Sequence, residues 1–362
     1  MNGEKGNGAA AVVALITALV ILVLGVAYLA FTGKGEIGVR DNIPAAAEMS
    51  LAESSITDSS LAESKADSSS AAESVADLPV KAADYAEIND DGLTAENAIL
   101  VDAADNKIIA GKNYDKRIYP ASLTKVMSLI VAAENIQDFN AAYTFTNEDI
   151  DSLAEENASV AEFEAGETVN MTDLMYASIV VSGGDGTKGL ANAVAGSEKA
   201  FVNLMNKKVQ EMGLKNTHFS NASGLHDDNH YSTCEDMAVI MKYAMENEMC
   251  RKILTAKEYT TSKTDQHKDG IKLDSLLFTR LEGYFVEGGG EILGGKTGFT
   301  DEAKFTLATA LEFDGKEYIC ITAKSEKQLA AVEDTILVYE KYLTQNEKKA
   351  AADESSSAAD VQ

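Results

Sequence analysis

The chain is short of positive charge, with 31 Lys and Arg against 58 Asp and Glu and a formal net charge of -27. Contacts to a phosphate backbone need clustered Lys and Arg, and no basic stripe occurs, so nucleic-acid binding is excluded as a function class. The acidity reads instead as solubility outside a cell. Cysteine is equally scarce: Cys234, Cys250 and Cys320 stand far apart with no C-x-x-C pair. That spacing argues against a disulfide framework or a zinc cage and leaves buried free thiols as the expectation. The four histidines offer one spacing of interest, His226 and His230. A zinc-protease helix needs H-E-x-x-H, whereas the interior here is Asp227-Asp228-Asn229 in turn-rich sequence. No metal and no cofactor is expected, and the polar residues of 216–233 are expected to shape a loop through side-chain to backbone hydrogen bonds.

Charge of either sign is missing altogether from Ala9 to Phe31, and a helix of that length, at about 1.5 Å per residue, crosses a hydrocarbon core of about 30 Å. The run exceeds the roughly 7 to 15 residues of a signal-peptide apolar region, which favours a retained anchor over cleavage at Gly25-Val26-Ala27. Flanking Lys5, Lys34 and Arg40 are too few to set its orientation. Residues 32–81 are expected to form a tether, in which Ser50-Leu51-Ala52-Glu53-Ser54 recurs at 60–64 and, degenerately, at 70–74. Few aromatics and many like charges leave too little apolar surface to offset ordering entropy, so disorder is expected there and in a tail of similar composition, 346–362. The folded unit is therefore expected over 82–345. In a chain that is 45% hydrophobic, that is enough for one large domain or two intimate lobes.

Within that unit, Ala98-Ile99-Leu100-Val101-Asp102 and Lys107-Ile108-Ile109-Ala110 read as two short strands around a polar turn. Pro120 precedes an apolar run from Leu123 to Ala133 that predicts a buried helix with Pro at its start. On it Ser122 and Lys125 are neighbours, i and i+3. Residues 147–214 are helix-rich, broken at Gly166 and at Ser182–Gly186, and predict a helical lobe. Residues 305–310 and 318–323 are β-like runs flanking Asp314-Gly315, a hairpin signal. Helical spacing then resumes from Leu329 to Leu343. Strands at both ends of a helical middle predict an α+β fold whose sheet is closed by distant segments.

The chemistry sits in two short motifs, Ser122-Leu123-Thr124-Lys125 and Lys296-Thr297-Gly298. S-x-x-K and K-T-G occur together in penicillin-binding proteins and class A β-lactamases. By chance the first is expected about once in a chain of this length and the second well under once. A serine hydroxyl needs a base within hydrogen-bond reach, and a lysine serves only when burial or nearby cations lower its pKa. Lys125 is placed for that. Lys296 could help depress it while attracting a substrate carboxylate, and the Gly298-Phe299 backbone could bring an N–H to an oxyanion. Taken alone, the two motifs are equally compatible with a helix lysine extending to solvent and a glycine turn ending a strand.

The surroundings shift that balance. Pro120-Ala121-Ser122-Leu123-Thr124-Lys125-Val126-Met127, Asn216-Thr217-His218-Phe219, Gly224-Leu225-His226-Asp227, Asn229-His230-Tyr231-Ser232-Thr233 and Gly295-Lys296-Thr297-Gly298-Phe299-Thr300 resemble the serine-type D-alanyl-D-alanine carboxypeptidases, the low-molecular-weight penicillin-binding proteins of peptidase family S11. The likeness spans about residues 95 to 345, in the family's order. It implies a β-lactamase/D,D-peptidase-like fold, an antiparallel sheet flanked by helices with a helical lobe. It implies that Ser122 attacks the bond between the last two D-alanines of a peptidoglycan stem peptide, with Lys125 as base and Ser182 relaying a proton to the leaving amine. Lys296 and Thr297 would bind the terminal carboxylate, the N–H groups of Ser122 and Phe299 would form the oxyanion hole, and β-lactams would acylate Ser122. A single-pass protein with residues 1–8 in the cytoplasm and its catalytic domain facing the cell wall follows from that activity.

Two departures stand out. The family's S-x-N motif reads Ser182-Gly183-Gly184, without the asparagine that helps hold the lysine and the substrate amide; catalysis could be weakened, Asp185 could cover the loss, or the chain could belong to a variant subgroup. Lys304 stands where the family usually has glycine. The family's C-terminal β domain and amphipathic anchor are not recognised in the sequence, and the N-terminal anchor with its tether is expected to replace the latter. Two alternatives remain: a β-lactamase, against which no E-x-x-L-N stretch follows Ser182, and a catalytically weakened wall-binding scaffold, which Gly184 motivates.

Overall fold

The computed structural model describes residues 78–155 and 158–359. An edge strand β1 (Val80–Glu87) precedes the hairpin β2 (Asn97–Asp102) and β3 (Lys107–Lys112). The chain then enters the helical lobe: α1 (Thr124–Asn135), α2 (Asn147–Glu155), α3 (Met171–Val180), α4 (Gly184–Ala195), α5 (Glu198–Glu211), α6 (Cys234–Glu246) and α7 (Glu248–Leu254). Two small ribbons decorate it, β4 (Ala142–Thr144) with β5 (Thr168–Asn170) and β6 (Glu258–Thr260) with β7 (Lys272–Asp274). A short α8 (Leu276–Leu281) leads to β8 (Glu291–Thr300), β9 (Lys304–Phe313), β10 (Lys316–Ser325) and a final helix α9 (Gln328–Ala359).

The main sheet has the order β1-β3-β2-β10-β9-β8. Both of its faces are covered, which is why its central strands read as near-continuous apolar runs. Side chains alternate across a strand. Ile99, Val101, Ala308, Ala310, Ile319 and Ile321 pack against the helical lobe, while Ala98, Leu100, Leu307, Leu311 and Cys320 pack against Val332, Ile336 and Tyr339 of α9. The β9–β10 turn has Asp314 at φ 50° and Gly315 at φ 74°, the left-handed pair that a two-residue hairpin loop demands. Strands from the early and late parts of the fold meet in the centre, where β10 pairs antiparallel with β2 from Tyr318↔Asp102 to Ala323↔Asn97. Cys234, Cys250 and Cys320 are free and buried.

The sheet differs from the expected antiparallel one in being mixed, because β1 pairs in parallel with β3. The hairpin partner β2 already occupies the other side of β3, so β1 takes the free edge, where it runs opposite to β2 and hence parallel to β3. β1 is mostly exposed and lacks apolar alternation, so its sequence gave no strand signal, and it begins inside the stretch read as tether. α9 continues to Ala359, into the stretch read as tail; the Glu, Lys and Ala of that stretch are strong helix formers. The anchor at 9–31, the tether up to residue 77 and residues 360–362 lie outside the described residues. Among the described residues no helix is long and apolar enough to cross a membrane.

Candidate active site

Ser122 is carried by a single 3-10 turn, Ala121–Leu123, that opens on Pro120 at φ −73° and feeds directly into α1. Ala121 has φ 48°, a left-handed conformation that costs a non-glycine residue roughly 1 to 2 kcal/mol. The surrounding packing fixes it. Gly224 (φ +88°) lies so close that a Cβ there would be 1.9 Å from the Ala121 carbonyl oxygen, and a Cβ on Gly298 would be 3.1 Å from the Ser122 nitrogen. Two glycines thus let the 216–233 loop and strand β8 close on the turn that presents the serine.

One helical turn on, Lys125 Nζ lies 3.1 Å from Ser122 Oγ and donates to the Ser223 carbonyl at 2.8 Å. Burial pushes this amine from its ordinary 10.5 down to about 7, against the opposing pull of the Asp185 and Glu198 carboxylates. A lysine tuned to neutrality beside a hydroxyl is the arrangement that base-assisted nucleophilic attack requires. Across the cleft Lys296, 1% exposed, donates to Ser182 Oγ at 2.9 Å and to the Thr297 carbonyl at 2.8 Å. Burial first, then the charges of Lys125 and Arg280, hold it well below the lysine range. A carboxylate arriving there supplies the counter-charge that favours its protonated form. Ser182 follows α3 at φ 60°, so the loop holds it in a strained position that aims it at Lys296.

Ser122, Lys125 and Ser182 line one cleft of about 180 Å³, together with Ala158, Ser159, Gly184, Leu225 and Thr300. The larger hollow of about 550 Å³ between α8 and the start of β8 holds none of the motif residues. Thr297 and Gly298 are buried in β8, whereas Phe299 is 46% exposed and stacks on Phe305 with ring centroids 4.4 Å apart. The structure therefore brings Ser122, Lys125, Ser182 and Phe299 to a single cleft, with Lys296 buried behind Ser182 and Thr297 and Gly298 beside it in β8.

Asp185 does not cover the missing asparagine. Its carboxylate turns into the protein, accepting from Ala161 N at 2.9 and 2.8 Å, Phe163 N at 3.2 Å and Gly186 N at 2.8 Å, and burial raises its pKa in spite of those bonds. The two spaced histidines serve different partners. His230 accepts from Ser220 N at 3.2 Å through Nδ1 and so donates through Nε2 to Thr124 Oγ1 at 2.7 Å, a neutral ring whose pKa burial lowers to about 4. His226 lies at the surface, its ring edge-on to Tyr119 at 4.7 Å and 3.8 Å from Glu302. The loop is shaped as expected: Asn221 donates to the Leu225 carbonyl at 2.8 Å and accepts from Gly224 N at 2.7 Å.

Sequence reasoning missed two parts of the site. Glu198, in the first turn of α5, accepts from Ala222 N at 3.0 Å, and Ser128 donates to the Ala222 carbonyl at 2.7 Å. Together they fix the loop whose next carbonyl receives Lys125. Their only sequence signals were a helix N-terminus after Ser197 and a serine on a buried helix, both of which read as local structure.

Comparison with known proteins agrees with this geometry. A model of the D-alanyl-D-alanine carboxypeptidase family, peptidase S11, matches residues 84–326. The D-alanyl-D-alanine carboxypeptidase DacF of Bacillus subtilis is 31% identical over 217 residues, 60% of this chain and 54% of that protein. DacA of Escherichia coli is 32% identical over 232 residues, 60% of this chain and 53% of that protein; the chain thus spans about half the length of the curated relatives it matches. The crystal structure of the Streptomyces K15 DD-transpeptidase superposes with a TM-score of 0.62 at 27% identity, covering 68% of this chain and 97% of that one. With the family's serine, lysine and K-T-G strand assembled around one cleft, this chain belongs to the peptidase S11 family, the D-alanyl-D-alanine carboxypeptidases.

Proposed function

We propose that the chain is a serine D,D-carboxypeptidase that removes the terminal D-alanine from peptidoglycan stem peptides and is acylated by β-lactams. The observation that carries the reading is the buried Lys125 amine, tuned to about 7 and 3.1 Å from Ser122 Oγ. Neutral Lys125 takes the hydroxyl proton as Ser122 Oγ attacks the carbonyl carbon, and the N–H groups of Ser122 and Phe299 receive the oxyanion. The C–N bond then breaks, Ser182 passes a proton to the departing amine of D-alanine, and water releases the acyl group from Ser122. Lys296 and Thr297 hold the substrate's terminal carboxylate, which fixes the cut at the last residue.

Residues 9–31 are read as a single-pass anchor, with the tether holding the catalytic unit outside the cell and facing the wall; their uncharged length supports this. Loss of membrane association on deleting 9–31 is the matching test. For the chemistry, the full chain in mild detergent is incubated with benzylpenicillin and followed by intact mass, and D-alanine release from a pentapeptide stem is assayed alongside, with Ser122→Ala as control. A stable adduct and D-alanine release on the wild type alone are expected. Rapid antibiotic loss without an adduct indicates a β-lactamase instead, and neither adduct nor antibiotic loss on a folded protein sinks both readings.

A further inference from the structure

The fold packs tightly around the place that the motif asparagine would need. A Cβ on Gly184 would lie 3.0 Å from Leu153 Cδ2, 3.1 Å from Ala158 Cβ and 3.2 Å from the Ser159 carbonyl oxygen, so a side chain there presses on Leu153 and on the Ala158–Ser159 segment, which must give by a few tenths of an ångström. That segment is tied down. Gly184 N donates to the Ser159 carbonyl at 2.6 Å, and the Asp185 carboxylate holds the N–H groups of Ala161 and Phe163 just beyond. Ser159 itself is exposed, and it lines the cleft with Ser122, Lys125 and Ser182. One half of the asparagine's part, a polar partner for the lysine, is met by the Ser223 carbonyl at 2.8 Å from Lys125 Nζ. The other half, a polar contact to the substrate amide, has no occupant at position 184.

We propose that Ser159 is a substrate-binding residue, its hydroxyl supplying from the neighbouring segment the contact to the substrate amide that Gly184 cannot make. A hydroxyl both donates and accepts, so it can meet a peptide N–H or C=O across the cleft. The reading rests on the acyl-enzyme at Ser122, and it makes the loss at Gly184 a relocation of the contact from the S-x-N loop to residue 159.

The test compares the full-length wild type, Ser159→Ala and Gly184→Asn in three measurements: benzylpenicillin adduct formation, D-alanine release and thermal unfolding. Ser159→Ala is expected to unfold at the wild-type temperature while D-alanine release, measured as kcat/KM, falls about tenfold, the loss of one hydrogen bond to substrate. Gly184→Asn is expected to unfold at a lower temperature and to gain no activity, because its side chain displaces the 158–159 segment. Unchanged kcat/KM in Ser159→Ala overturns the proposal, as does a Gly184→Asn variant of wild-type stability with raised activity. An inert wild type is a distinct outcome that removes the Ser122 reading and the role of Ser159 with it.

Discussion

Replacing Lys125 by methionine is expected to abolish acylation and, at neutral pH, to stabilise the protein. Burial moves this amine from 10.5 to about 7. At about 1.36 kcal/mol for each pH decade between those values, roughly 5 kcal/mol of stability is withheld when the folded state must carry the charge. Methionine fills a similar length without a charge, but it leaves the Ser223 carbonyl and the Ser122 hydroxyl without their lysine partner, a loss of about 1 to 3 kcal/mol. A net gain of about 2 to 4 kcal/mol remains, which for a domain of this size raises Tm by roughly 4 to 16 °C. The sign of the pH dependence is fixed. Between about 7 and 10.5 the unfolded chain holds the Lys125 proton and the folded protein does not, so wild-type stability rises with pH across that window. The variant's advantage is therefore full below about pH 7 and shrinks toward pH 10.5. Thermal unfolding of both proteins at about pH 6, 7.5 and 9, with intact mass after benzylpenicillin, measures it. A variant less stable than wild type near pH 6, or a Tm gap that stays constant up to pH 9, would refute the argument.

Glu198→Gln removes a carboxylate that opposes the depression of Lys125; the rising limb of the acylation rate should move to lower pH, and an unmoved or upward-shifted profile contradicts that electrostatic role. Gly224→Ala sets a Cβ 1.9 Å from the Ala121 carbonyl at φ +88°, so stability should fall by about 2 to 4 kcal/mol and adduct formation should slow as the Ser122 turn shifts; wild-type values in both assays exclude the close approach. Lys304→Gly relieves a left-handed residue at φ 55° and should raise stability by about 1 kcal/mol with the acylation rate unchanged, whereas a lower Tm would show that the turn is unstrained.

Local patterns were legible where a single period governs the residues. The β2–β3 and β9–β10 hairpins, the buried helix after Ser122 and the helical middle were each written in apolar spacing and turn residues, because one element's burial is set by its own alternation. β1 was not legible: an exposed edge strand needs no apolar face and is held by backbone pairing to β3. The reach of α9 past residue 345 was not legible, because low hydrophobicity and high charge describe a disordered tail and a solvated helix alike.

By itself the sequence determined which groups could react and their local spacing. A serine and a lysine three residues apart on a helix must share a face, and the K-T-G triplet in strand-like sequence supplies the second lysine. What only the tertiary structure decided is how those groups are tuned and partnered. Burial under the 216–233 loop brings Lys125 to about 7, Glu198 reaches across the fold to hold Ala222, and residues 158–159 close over Gly184. Each depends on groups distant in sequence that meet only when the sheet and helical lobe pack. Desolvation and steric exclusion belong to that packed interior, and no local pattern encodes them.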